Sequence, residues 1–220
     1  MTLPFKMRQE TELEKWRAAT WKSKEPETIE WIRSFSDGDI FIDVGANVGI
    51  YSLYCASIFP KMPILAIEPM KINFKRLEEN KQLNGFHNMI CFPLAISDKN
   101  KMCKLDTPNV TAGASGLQIQ IGIEDIALSL DTIMNFDYSV HIKIDIDGQE
   151  LNVIQGIGKK KWPQIKSTLI EVNDNKKEII EIFAEQGFTT DNRFNTMTPH
   201  SRERRQREGI TAENIIFTRV

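Results

Sequence analysis

Cysteine and histidine are both scarce, with three of each in 220 residues. Cys55, Cys91 and Cys103 form no CxxC pair, so neither a disulfide framework nor a thiolate zinc site is indicated. His87, His141 and His200 are too scattered for metal-ligand spacing. No apolar run approaches the roughly 20 residues of a membrane span, and the opening MTLPFKMRQETELEKW lacks the apolar core of a signal peptide. Charge of one sign is missing too: 28 basic residues face 30 acidic ones, for a net of -2. That leaves no whole-protein field for nucleic acid or an anionic membrane. The expectation is a cytoplasmic protein in a reducing setting, with no nucleic-acid partner.

Short apolar runs alternate with helix-period segments, the βα rhythm of a parallel sheet. DIFIDVG (39–45), PILAIEP (63–69), HIKIDID (141–147) and STLIEVN (167–173) read as strands, as do NMICFPLAISD (88–98) and KMCKLD (101–106). Helices are expected at 48–59, 71–85, 149–158 and 176–187. In the second of these Ile72, Leu77 and Leu83 should point inward and Gly85 should end the helix. FTT and ENIIFTRV suggest a terminal hairpin, and two helical pieces precede the first strand, near 8–20 and 26–35. The stretch 107–125 is the least regular, and long irregular loops are often functional.

FIDVGANVGIYS (41–52) places Asp43 two residues ahead of a glycine-rich turn. A dinucleotide fingerprint from Gly45 would need glycines at 47 and 50, where Asn47 and Ile50 stand. The pattern is D-x-G-x-x-x-G, and its acid repels phosphate. S-adenosylmethionine fits, because its sulfonium and ammonium are cationic and its carboxylate can rest on turn amides at a helix N-terminus. Glu68, ending the next strand, can accept hydrogen bonds from both ribose hydroxyls, a task shared with NAD sites. No tyrosine begins a YxxxK pair, which counts against an oxidoreductase. Taken singly, Asp43 is equally readable as a helix cap.

In HIKIDIDGQE an extended strand would put His141, Lys143, Asp145 and Asp147 on one face. A central strand of a doubly wound sheet should be apolar on both faces, and such violations concentrate at functional sites. Asp145 and Asp147 stand at the carboxyl end, where ligands bind in this architecture. One of them, Asp145 first, is expected to orient an acceptor hydroxyl and take its proton. Glu150 follows at a helix start, where a carboxylate is favoured. A solvated edge strand with Lys143 paired to Asp145 is the plainer alternative. Lys143 could equally pair with Asp43, and a magnesium ion held by Asp145 and Asp147 is a less favoured variant.

Four blocks together resemble the FkbM-type S-adenosylmethionine-dependent methyltransferases: KEPETIEWI (24–32), FIDVGANVGIYS (41–52), AIEPMKINFKRLEENKQLN (67–84) and IKIDIDGQELNVIQG (142–156), supported by LAISD (94–98) and LIEVN (169–173). The resemblance implies an α/β class I methyltransferase (Rossmann-like) fold, a doubly wound seven-stranded sheet of order 3-2-1-4-5-7-6 with a terminal β-hairpin. It implies an N-terminal helical lid (1–36) on a methyltransferase domain (37–220), and O-methylation of hydroxyls on surface-glycan sugars or secondary metabolites. By the family pattern Asp43, Gly45, Ala46, Asn47 and Gly49 hold the methionine portion and Glu68 the ribose. Thr28 belongs to the segment folding over the cofactor, although KEPET is also a plain capping signal. Many relatives of this fold end the third strand with an acid at the adenine; here Ala95 takes that place, and Asp98 is the nearest substitute, or simply a turn residue.

Glu171 and Asn173, ending the fifth strand, are expected substrate ligands, with capping as the alternative. Arg193 and RERRQRE (202–208) could grip an anionic acceptor or form a solvated loop. The expected partner is a small-molecule or glycan acceptor, and an open acceptor side suits completion by a homo-oligomer. Lipid, polyketide or amine acceptors, or cofactor binding without turnover, are the competing readings.

Overall fold

The strand β1 (Ile40–Val44) is buried along its whole length and sits mid-sheet. A computed structural model describes residues 3–106, 111–116, 118–194 and 212–219. Parallel neighbours flank β1: β2 (Ile64–Ile67) on one side and β7 (Val140–Ile144) on the other. β3 (Met89–Phe92), β8 (Ile165–Val172), β9 (Phe188–Thr190) and β10 (Glu213–Arg219) complete a seven-stranded sheet ordered β3-β2-β1-β7-β8-β10-β9. In core-strand numbering this is the expected 3-2-1-4-5-7-6, with β10 antiparallel to both β8 and β9. The chain thus has the class I methyltransferase architecture.

Alternation along β1 explains the layering. Phe41 joins a core cluster with Leu53, Ile64 and Leu77 on one face, while Ile40, Ile42 and Val44 join Ile142, Ile144 and Phe183 on the other. Helices α1 (Glu12–Thr20), α2 (Pro26–Arg33), α3 (Ile50–Ile58) and α4 (Lys71–Asn84) precede β3; α5 (Leu130–Ile133), α6 (Glu150–Gln155) and α7 (Lys176–Glu185) follow the insertion described below. A capping box starts α1: the Thr11 hydroxyl accepts from Glu14 N at 3.1 Å and Glu14 Oε2 accepts from Thr11 N at 2.8 Å. Phe5, Trp21, Ile29 and Trp31 of the N-terminal segment are buried in the same cluster as Phe41 and Leu53. The segment is therefore part of the main core as well as a cover.

Four local expectations are corrected. The strand read as 88–98 is split: β3 stays in the main sheet, and β4 (Ala95–Ser97) moves to a three-stranded sheet with β5 (Lys101–Asp106) and β6 (Gln118–Ser129). Within the β5–β6 ladder Cys103 faces Asp125 while Lys104 faces Gln120, so residues 121–124 bulge out of register. In α4, Ile72 and Leu83 are exposed, and the buried positions are Asn73, Leu77 and Asn80. Two asparagines face inward because they tether backbone: Asn80 Nδ2 donates to Val48 O, and Asn73 holds the loop 111–116. Finally, the fourth core strand stops at Ile144, and the following helix runs only from Glu150 to Gln155. The cluster RERRQRE and His200 lie outside the described residues. Among the described residues no helix is long and apolar enough to cross a membrane.

Candidate active site

Above the carboxyl ends of β1, β2, β7 and β8 lies a cavity of about 230 Å³. Gly45, Ala46, Asn47 and Val48 form one wall, Glu68 and Asn73 another, and Lys143, Asp145, Asp147 and Glu171 line it from the β7 and β8 ends. The N-terminal segment supplies Arg17 and Lys24, and the loop 111–116 supplies Ala114 and Ser115.

The turn after β1 needs its glycines. Gly45 has φ +83°, and a Cβ there would stand 2.0 Å from the Asp145 carbonyl oxygen. Gly49 has φ +95° and abuts Leu77 Cδ1, so it lets α3 approach α4. Asn47 N donates to Glu68 Oε2 at 2.7 Å and Met70 N to Glu68 Oε1 at 2.9 Å. Each oxygen keeps a further lone pair for a ligand hydroxyl. Burial outweighs these bonds and pushes the Glu68 carboxyl up to about 7.

Asp43 lies beneath the cavity and does not line it. It is 1% exposed; Ser52 Oγ donates to Oδ2 at 2.6 Å, while Oδ1 is buried without a hydrogen bond. Burial raises its carboxyl above the ordinary range in spite of Lys143 nearby. Lys143 is the pivot. Its Nζ donates to Asp145 Oδ2 at 2.7 Å and lies 5.2 Å from the Tyr51 ring centroid. Burial works against its charge, but Asp145, Asp43 and Glu25 together outweigh it and hold it as the ammonium.

The expectation that Asp145 takes a proton meets this ion pair. Burial works against its charge, but Lys143 and Lys24 prevail and hold the carboxyl at about 2. A carboxylate held that low is a weak base, suited to orienting and to balancing charge. Asp147 does not share the strand face either. It sits at φ 57°, and its Oδ2 accepts from Gly116 N at 2.7 Å, pinning the loop 111–116. That loop is held again by Asn47 and Asn73, whose side chains both donate to Ala114 O, and by Arg17 Nε donating to Gly113 O.

The remaining predicted residues divide. Glu171 reaches the cavity. Glu150 is 3% exposed and closes its own turn, accepting from Ile146 N and Gly148 N; with Asn173 it lines a separate depression beside α7. Thr28 is buried and donates to Glu25 Oε2 at 3.3 Å. Asp98 bonds Ser97 and Lys101 at a surface turn, and Arg193 pairs with Asp191. None of these five lines the cavity. Lys24, Glu25, Tyr51 and Arg17 were not anticipated as site residues. For Glu25 the KEPET block was the available signal, but its local reading was a cap. Glu25 is the N-cap residue of α2 without a side-chain capping bond, its carboxylate turned inward to Lys24 Nζ at 2.5 Å.

Six carboxylates (Glu25, Asp43, Glu68, Asp145, Asp147, Glu171) stand in or under the cavity against three cations (Arg17, Lys24, Lys143). Burial first, and neighbouring carboxylates after it, raise the carboxyls of Asp43, Glu68 and Glu171, and a cation such as a sulfonium beside them would favour their charged forms. Beside the cavity lies a narrow apolar crevice between Ile67, Leu94, Ile96 and Ile119. The donor set and cradle fit S-adenosylmethionine.

Comparisons with known proteins agree. The family model "Methyltransferase FkbM domain" matches residues 43–190. Methyltransferase 1 of Beauveria bassiana is 23% identical over 171 residues, covering 66% of this chain and 69% of that protein. The 31-O-demethyl-FK506 methyltransferase FkbM of Streptomyces tacrolimicus is 25% identical over 191 residues, 69% of this chain and 73% of its own. Among solved structures, a candidate rRNA methylase from Clostridium thermocellum superposes with a TM-score of 0.55 at 8% identity, covering 89% of this chain and 94% of that one. The human methyltransferase 10 domain containing protein gives 0.50 at 13% identity, covering 90% and 82%. These two likenesses speak for the fold alone. The chain belongs to the FkbM methyltransferase family, and S-adenosylmethionine is its cofactor.

Proposed function

We propose that the enzyme is an O-methyltransferase acting on a hydroxyl, most suitably that of a sugar in a glycan or glycan precursor. The observation that carries this reading is the carboxylate-rich cavity at the ends of β7 and β8, with Asp147 and Glu171 facing the space beside the Gly45–Val48 turn. Carboxylates receive hydroxyl hydrogens well and repel phosphodiester backbones, which favours a polyol over a nucleic acid. The name of the Streptomyces relative, a 31-O-demethyl methyltransferase, supports oxygen as the accepting atom. Free thiols at Cys55, Cys91 and Cys103 suit a cytoplasmic site of action.

When bound, S-adenosylmethionine supplies a methyl group on a cationic sulfur. The protein's part is to bind and align. Glu68 would take the ribose hydroxyls, and the turn after β1 would lie against the methionine portion, its own amides from Gly45 to Gly49 being bonded to Ile67 O, Glu68, Asn47 Oδ1 and Ala46 O. Asp43 and Asp145 balance the cationic end through Lys143. Asp147 fixes the 111–116 loop over the cavity, and holding the acceptor oxygen in line provides much of the acceleration.

The test is a screen with methyl-labelled S-adenosylmethionine against monosaccharides, nucleotide sugars, oligosaccharides, polyketides, lipids, amines and RNA. Labelled methyl ether on a sugar is the expected result. Transfer to RNA, or to nitrogen only, would overturn the acceptor class. Product on a polyketide or lipid hydroxyl would keep O-methylation and change the acceptor.

A further inference from the structure

Three carboxylates line the cavity from the β7 and β8 ends, and two of them are committed. Asp145 is bound to Lys143 Nζ at 2.7 Å and Asp147 to Gly116 N at 2.7 Å. The Glu171 side chain has no hydrogen bond or ion pair among the described residues. Its place follows from the sheet register. Lys143 faces Leu169 and Ile144 faces Ile170, so the next step brings Asp145 level with Glu171. Neighbouring strands lie about 4.8 Å apart, and both side chains leave the same sheet face at the carboxyl end.

We propose that Glu171, and not Asp145, is the catalytic residue that takes the proton of the acceptor hydroxyl. This rests on the methyltransferase reading above. The balance is complete: the O–H bond breaks with its proton passing to the Glu171 carboxylate, the O–CH₃ bond forms, and the S–CH₃ bond breaks to leave a neutral thioether. The charged groups facing Glu171 are Asp145 and Lys143 from β7 and Glu25 and Lys24 ahead of α2; Asn214, its partner on β10, is uncharged. Burial first, then the charges of Asp145 and Glu25, push its carboxyl up to about 8. A base of that strength suits catalysis near neutral pH. Below that value it holds a proton, which an arriving sulfonium should expel.

Two readouts decide the matter. Calorimetric titrations at pH 7, in two buffers of different ionisation enthalpy, compare S-adenosylmethionine with S-adenosylhomocysteine. The extra protons released with the sulfonium over the thioether should be fewer by close to one in Glu171→Gln than in wild type, Glu68 accounting for what remains. S-adenosylhomocysteine affinity should differ less than about threefold between the two proteins. An equal excess in both proteins overturns the proposal. Failure of wild type to bind either compound overturns the cofactor assignment instead, and is told apart by that. With the acceptor found by the screen, Glu171→Gln should lose about 10²–10⁴ in kcat with little change in KM for the cofactor. Its kcat/KM should also lack the wild-type rise through about pH 8. A kcat within tenfold of wild type removes Glu171 from the role.

Discussion

Lys143 and Asp145 meet at 2.7 Å just past the end of β7, with the lysine 1% exposed and Asp43 and Glu25 adding their charge to the same ammonium. The pair turns a polar strand face into an electrostatic floor for the cavity. It makes Asp145 a weak base and Lys143 a cation shared by Asp43, Glu25 and Asp145, of which Glu25 and Asp145 are also near Lys24.

Lys143→Met should therefore be among the most destabilising substitutions. Removing one partner of a buried ionic cluster costs about 3–5 kcal/mol, because Asp43, Glu25 and Asp145 remain. Urea denaturation at pH 7 measures it. A loss below about 1 kcal/mol would show that the carboxylates can shed their charge cheaply.

Gly45→Ala should be worse than Gly49→Ala. Both positions have positive φ, but the new methyl at 45 meets the Asp145 carbonyl at 2.0 Å, whereas at 49 it meets the movable end of Leu77 at 2.5 Å. Strained φ alone costs about 1–3 kcal/mol, and a backbone collision adds displacement of the Asp145 segment. Paired thermal melts and S-adenosylhomocysteine titrations should rank 45 below 49 in both. The reverse order would mean the turn is not held against β7 in solution.

Stability should depend on pH through Glu171. The folded carboxyl keeps its proton up to about 8, whereas an unfolded glutamate loses it near 4.3. Between those values the folded state binds more protons, so stability contributed by this group falls as pH rises. Glu68, held at about 7, acts in the same direction. Melting curves from pH 5 to 8.5 should show a shallower decline for Glu171→Gln than for wild type. Identical slopes would contradict the burial of that carboxyl.

At the opposite end of the sheet, Ser167 Oγ accepts from Trp31 Nε1 at 2.8 Å and meets His141 Nδ1 at 2.7 Å. With the hydroxyl donating to Nδ1, His141 carries its proton on Nε2 toward Asp39, and burial holds the imidazole down at about 4. Ser167→Ala should cost about 1–3 kcal/mol by orphaning a buried donor. Cofactor affinity should stay within twofold, since this network lies away from the cavity. A large affinity loss would show coupling through β7 and β8.

Much of the fold was readable in the chain. Apolar runs such as IFIDV alternating with helix-period segments indicate a parallel sheet, the resemblance to the FkbM family implies its doubly wound order, and the turn residues of FIDVGANVG mark its ligand end. Lys143 and Asp145 stand out because charge interrupts apolar strands. Asn73 and Asn80 gave no such sign: on a helix they look like surface residues, and only the loop backbone above them explains their burial. Glu25 looked like a capping residue, because nothing local says that its carboxylate, bonded to neighbouring Lys24, is buried within electrostatic reach of Lys143.

By itself, then, the sequence determined the α/β class, the cofactor class and the strand ends where chemistry occurs, because periodicity and turn chemistry are local properties, while the strand order came from the family resemblance. Which carboxylate is neutralised, which pins a loop and which stays free was decided only in the tertiary structure. Charge and solvation depend on what is brought within a few ångströms, and the register of β7 against β8 is what brings Glu171 level with the Lys143–Asp145 pair and leaves it lining the cavity.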